Sequence, residues 1–155
     1  MTAPLPTLYE YAGGADAIRR LAECQYARCR RDEVLVELFG HEPRPGHAEH
    51  LAAWMAEVLA GPKTYTNELG GFPALLRRHQ GLSITDAQRD RFVEAFMAAA
   101  DDAGLPTDRA FRSRLRDYVA WGAGIAQRNS QPGYEADMTA TVPDWDWGGL
   151  RPGAA

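Results

Sequence analysis

Residues 72–80 read Phe72-Pro73-Ala74-Leu75-Leu76-Arg77-Arg78-His79-Gln80. The stretch predicts a short helix over Pro73–Gln80, because proline suits a first helical turn and a run of good helix formers follows it. It stands inside a segment, 63–82, that is otherwise rich in Gly, Thr and Asn and reads as a loop. A histidine at the end of such a helix, beside two guanidiniums, has two readings. One is a metal-binding imidazole with cations close by. The other is a surface histidine in a basic segment, and spacing alone favours this second reading.

On either side of this segment the helical signal is strong. Before it, Ala15–Arg31 carries Ile18, Leu21, Ala22, Tyr26 and Cys29 close to one face. Gly46–Ala60 places His47, Leu51, Trp54, Met55 and Val58 at helical spacing, and Gly61-Pro62 stops it. After it, Thr85 opens a long run to Ala103, with Phe92, Phe96 and Ala99 facing inward, and Gly104-Leu105-Pro106 breaks it. Thr107-Asp108 then opens a last helix to about Asn129. Its stripe is Phe111, Leu115, Tyr118, Val119, Gly122, Ile125 and Ala126. Alternating apolar and polar residues are scarce, so the β-signal is weak. The expected class is all-α. One domain spans residues 1–130, and a Trp-, Pro- and Gly-rich tail spans 131–155. That tail is expected to be extended, with Trp145 and Trp147 docking on the helices.

Composition narrows the function. The chain has 155 residues, 45% hydrophobic and 25% charged, which suits one core. A formal net charge of −4 provides no basic field for nucleic acid. No run of about 18 apolar residues spans a membrane. Met1–Glu10 lacks the charged and apolar regions of a secretory leader. Cys24 and Cys29, five residues apart on a helix, face roughly 140° away from each other. They form no natural disulfide pair, and a cytoplasmic location is expected.

Other candidates carry competing readings. His47 occupies an apolar-face position one turn before Leu51, as a ligand contact or as a half-exposed histidine at a helix start. His47 and His50 form an i, i+3 pair, but no further donor at a useful spacing completes a zinc site. Tyr26 lies on a buried face, as core or as a hydroxyl donor in a pocket. Phe39, Trp54, Met55, Phe92 and Phe96 read first as core. No Gly-rich phosphate loop, nucleophile elbow or paired-cysteine motif is present.

The order of these pieces along the chain is more specific than any one of them. Leu8-Tyr9-Glu10-Tyr11-Ala12-Gly13-Gly14 comes first, then Tyr26, then Arg31-Asp32-Glu33-Val34-Leu35 with Phe39. Gly46 to Leu51, Ala60-Gly61-Pro62-Lys63-Thr64-Tyr65 and Phe72 to His79 follow. Arg89-Asp90-Arg91-Phe92 and Asp117-Tyr118-Val119 close the series. From Leu8 to about Asn129 the chain resembles a group II truncated haemoglobin. The resemblance implies a two-over-two helical sandwich around haem b, with His79 as the proximal iron ligand. It implies Tyr26 as the distal tyrosine that holds bound ligand, His47 as the gating position with Leu51 one turn on, and Phe39 as the corner aromatic. Trp54, Met55, Ile84 and Phe92 fall to the cofactor's surroundings, and Lys63, Tyr65, Arg77 and Arg78 to its propionates.

The resemblance also sets the expected activity. It is binding of oxygen, with nitric oxide or peroxide as further ligands. Dioxygenase or peroxidase-like chemistry would be supported by a reductase, and the protein would be a monomer or homodimer. The competing class is a haem-free helical interaction module that keeps the fold. Four departures stand out. Phe92 replaces a usual tryptophan and removes an N–H donor, worth about 0.5–1.5 kcal/mol as a hydrogen bond. Phe39 replaces a frequent tyrosine. His47 stands where many members carry a small residue, and direct iron ligation by His47 is one consequence. The loop is one residue longer near Gly70-Gly71.

Overall fold

The computed structural model describes residues 3–151; residues 1–2 and 152–155, at the ends of the expected domain and tail, lie outside the described residues. Among these residues the helices are α1 (Leu8–Ala12), α2 (Gly14–Arg31), α3 (Val36–Phe39), α4 (His47–Val58), α5 (Thr64–Glu68), α6 (Gly71–His79), α7 (Asp86–Asp102) and α8 (Arg109–Asn129). Two short strands, β1 (Asp144–Asp146) and β2 (Gly149–Arg151), follow.

The four long helices begin and end close to where their sequence signals place them. Thr85 caps α7 by accepting the Gln88 N–H, and the Gln88 side chain returns a bond to the Thr85 N–H. This reciprocal arrangement satisfies two amides that a helix start would otherwise leave unpaired. Asp108 caps α8 through the Phe111 N–H at 3.1 Å, and it also accepts the Tyr11 hydroxyl at 2.7 Å. α2 packs on α4, and α7 packs on α8. The α2–α7 contact stacks one pair on the other, giving the two-over-two sandwich. Ile18, Leu21, Met55, Val58, Phe96, Phe111 and Leu115 fill the interior at 1% exposure or less. Across the layers, Arg28 pairs with Asp102 at 2.6 Å and Arg91 with Asp32 at 2.7 Å.

Short elements are where the structure departs from the pattern. The segment expected to be a loop over 63–82 holds two helices, because α5 precedes α6. Five residues are too few to show a helical period, and the same holds for α1. α6 starts at Gly71, two residues before the proline. Gly70 and Gly71 turn the chain with φ of 91° and 65°. A Cβ on Gly70 would lie 2.8 Å from the Ala74 Cβ, so the entry to α6 needs glycine there. His79 sits at the C-terminal end of α6.

The tail folds back as a hairpin, with Trp145 paired to Leu150 and Asp146 to Gly149. Trp145 is buried, edge-on to Trp121 and Tyr118 of α8 at 6.0 and 6.4 Å. The Trp147 indole donates to the Pro6 carbonyl at 2.8 Å and stands edge-on to Tyr11. No helix among the described residues is long and apolar enough to cross a membrane. Because Trp145 closes the core from outside, Trp145→Ala is expected to lower unfolding free energy by about 3–5 kcal/mol. Denaturant titration followed by circular dichroism measures it; a midpoint within error of the parent would show that the hairpin contributes little.

Candidate functional site

Between α4, α6, α7 and α8 lies a cavity of about 510 Å³, within the range of cofactor and small-molecule sites. Its wall is mostly apolar: Leu51, Trp54, Met55, Ile84, Phe92, Phe96, Tyr118 and Val119 come from four different segments. Each of these residues falls on an inward helical face or in the turn that leads into α7, so core periodicity and cavity lining coincide. Ile84 is held by the end of α8, where the Ser130 hydroxyl accepts its N–H at 2.9 Å.

His79 lines the cavity from α6. Its Nδ1 lies 2.8 Å from the Leu75 carbonyl, one turn earlier. A carbonyl oxygen only accepts, so Nδ1 carries the proton and Nε2 keeps its lone pair. Burial pushes the imidazole below the usual histidine value of 6.5. The Leu75 bond opposes that shift, and the Arg78 cation adds to it. The result is a neutral ring fixed in one tautomer, with one basic nitrogen available. Metal-ligating histidines commonly hold their second nitrogen in this way.

Arg78, the next residue back, also lines the cavity and donates to His50 Nδ1 of α4 at 2.9 Å. The guanidinium thereby connects α6 to α4 and keeps further N–H groups for an anion. Tyr65 is buried in the wall, edge-on to Trp54 at 5.4 Å. Lys63 precedes α5, is exposed, and is not part of the cavity wall.

Around the start of α4 the aromatic residues form a cluster. The His47 imidazole is stacked on the Tyr26 ring, with centroids 4.4 Å apart and planes 9° from parallel. Phe39 stands edge-on to both and stacks on Phe92 at 6.1 Å. His47, Phe39 and Phe92 line the cavity; Tyr26 does not. Burial lowers the His47 pKa, with the Arg44 cation as the next cause and Arg78 after it. The structure therefore brings His79, His47, Phe39, Leu51, Trp54, Met55, Tyr65, Arg78, Ile84 and Phe92 together, and leaves Tyr26 and Lys63 outside the wall. Arg44 and Trp121 are wall residues that sequence reasoning missed. Arg44 lies in an irregular loop, where no period marks the residues that face inward.

Depressed histidines set a pH dependence. A histidine with a lowered folded-state pKa binds its proton more readily when unfolded, so stability rises with pH through that interval. The ligand-free protein is expected to hold its full stability above the usual value of 6.5 and to lose it as pH falls below that value toward the depressed folded values of His79 and His47. Denaturant titrations between pH 8 and pH 5 check this, and His79→Gln should flatten the slope.

Comparison with known proteins agrees with this geometry. Residues 7–118 match the family model described as bacterial-like globin. The group 1 truncated haemoglobin of Nostoc commune is 30% identical over 90 residues, covering 58% of this chain and 72% of that protein. The crystal structure of haemoglobin from Chloroflexus aurantiacus is similar at a TM-score of 0.67 and 34% identity, covering 79% of this chain and 98% of that one. The group II 2-on-2 haemoglobin of Agrobacterium tumefaciens gives 0.68 and 26%, covering 82% and 98%.

Proposed function

Because the chain belongs to the bacterial-like globins and is a haem-based ligand-binding protein of truncated 2-on-2 type, we propose that it binds diatomic gases, oxygen first, at a haem b iron held by His79. The observation that carries the reading is the Nε2 lone pair of a half-buried, neutral His79 in the cavity wall, left free by the Leu75 bond. The residues present fit the group: the His79 imidazole on one side with His47 and His50 elsewhere in the wall, a broad apolar lining, and Arg78 with spare N–H donors for carboxylates. When bound, haem would supply an iron centre at which a small gas can bind.

The chain's own residues do the rest. Leu75 orients the His79 ring. Trp54, Met55, Phe92 and Phe96 exclude water from the cavity and lower its polarity, which strengthens the hydrogen bonds made inside. Arg78 provides cationic charge for propionates, with Tyr65 beside Trp54 in the wall and exposed Lys63 at the start of α5 as a further cation. Nitric oxide and peroxide are secondary ligands in this reading. Turnover with either would require electrons from a reductase. Free Cys24 and Cys29 are in keeping with a reducing cytoplasm. A haem-free interaction module finds less support, because a well-packed core does not require the cavity around His79.

The purified chain reconstituted with haem is expected to show a Soret band. His79→Ala should abolish the parent spectrum and weaken haem retention at least tenfold, measured by transfer to apomyoglobin. An unchanged spectrum in His79→Ala would remove the ligand assignment.

A further inference from the structure

Resting on the haem reading above, we propose a second activity: the side chains of Trp121, Trp145, Trp147 and Tyr11 relay electrons from a small phenol at the surface to hydrogen peroxide in the cavity. Three observations carry it. First, the rings form a path from the cavity to solvent. Trp121 lines the cavity, and the buried Trp145 stands edge-on to it at 6.0 Å. Trp147 follows two residues later, just past β1, where the strand period of two keeps both indoles toward the helices. Trp147 meets Tyr11 of α1 edge-on at 4.9 Å. Centroid separations in this range put ring edges in contact, where electron exchange is fast. Tyr11 is 37% exposed, so the path ends at solvent. Second, the path handles protons differently along its length. The Trp145 N–H is buried and finds no acceptor among the described residues. An indole that loses an electron there keeps its proton and returns to the neutral form on taking an electron back. Tyr11 instead donates its hydroxyl to the Asp108 carboxylate at 2.7 Å. A phenol yields an electron readily only when a base takes its proton, and Asp108 is that base.

Third, the phenols of the cavity wall lack such a base. Tyr65 and Tyr118 both line the cavity, and burial pushes each hydroxyl above the usual phenol value of 10. Neither donates to a carboxylate among the described residues, so the wall draws its electrons through Trp121. The reaction balances. In the cavity the O–O bond of hydrogen peroxide breaks, and two electrons and two protons turn it into two waters. Electrons cross the relay singly. Tyr11 passes an electron to Trp147 and its proton to Asp108, which releases that proton to solvent. A phenol at the surface, serving in place of a reductase, then gives Tyr11 a hydrogen atom and leaves as a phenoxyl radical. Its O–H bond matches the one it restores, so this exchange runs close to thermoneutral. Two phenols are oxidised per peroxide reduced, and the protons released at Asp108 equal those consumed in the cavity.

The test uses the haem-loaded full chain, hydrogen peroxide, and guaiacol as the phenol probe. With peroxide alone, the parent should show a tyrosyl radical by electron paramagnetic resonance and oxidation at Tyr11 by peptide mass spectrometry. Trp145→Phe keeps an aromatic ring in the core but resists oxidation. Its Tyr11 oxidation and guaiacol turnover should both fall about tenfold, while the Soret band and oxygen affinity stay at parent values. Asp108→Asn keeps a helix cap and removes the base, so the radical signal should change from tyrosyl to tryptophanyl. Tyr134→Phe, at an exposed tyrosine off the path, should match the parent. The proposal is overturned if Trp145→Phe oxidises Tyr11 as fast as the parent, or if a parent chain with a normal Soret band leaves Tyr11 unoxidised. Tyr11→Phe, at the surface, keeps the question open to test if Trp145→Phe does not fold. Guaiacol turnover should fall alike in it, and an unchanged rate overturns the relay. Absence of a Soret band in the parent chain would instead overturn the haem reading, and this inference with it.

Discussion

His79 gives one ring nitrogen to the carbonyl of Leu75, 2.8 Å away within the same short helix, and much of the site's chemistry depends on that bond. It selects the tautomer, sets the ring plane and leaves a basic nitrogen for the cavity. A histidine without this partner would rotate freely, and its burial would simply penalise the fold. The bond exists because α6 ends at His79, where the last turn brings residue i−4 under the ring. α6 in turn depends on Gly70 and Gly71, which admit the left-handed turn that starts it. A local backbone allowance thereby becomes an oriented imidazole.

Two charge features keep this arrangement neutral where it matters. The half-buried imidazoles at positions 79 and 47 are both held below the usual histidine range, chiefly by desolvation. Cationic Arg78 and Arg44 reinforce the effect. These same cations meet partners outside the rings, His50 for Arg78 and the Leu38 carbonyl for the Arg44 side chain. The cavity therefore has an apolar interior with positive charge near it, the charge balance that an anionic, flat, largely hydrophobic cofactor requires.

The tail adds a layer that the globin family match does not reach, since that match ends at residue 118. Trp145 packs behind Tyr118 and Trp121, and both of these line the cavity. The hairpin is thus one shell removed from the site. Its strands are three residues each, too short for a period-2 signal, which is why an extended segment was the natural expectation. Pairing and tryptophan burial, both non-local, turned that segment back on the helices.

The sequence alone determined the four long helices, because apolar residues every three to four positions leave few other ways to bury a face, and Thr85 and Asp108 mark two of the starts. It also singled out His79, through its place in an ordered series of motifs rather than through its own neighbours. Most wall residues followed as well, since Trp54, Met55, Phe92 and Phe96 are inward-facing by period. Tertiary structure alone decided which polar side chain stands in the wall at the other end of the cavity. Tyr26 and His47 lie on different helices, and both read as buried polar residues on apolar faces. Which one meets the cavity depends on how the α3–α4 loop, with Arg44, folds over α2, and an irregular loop carries no period. The ring stack that puts His47 in front of Tyr26 is a contact between residues 21 positions apart, set by helix packing and not by any local pattern.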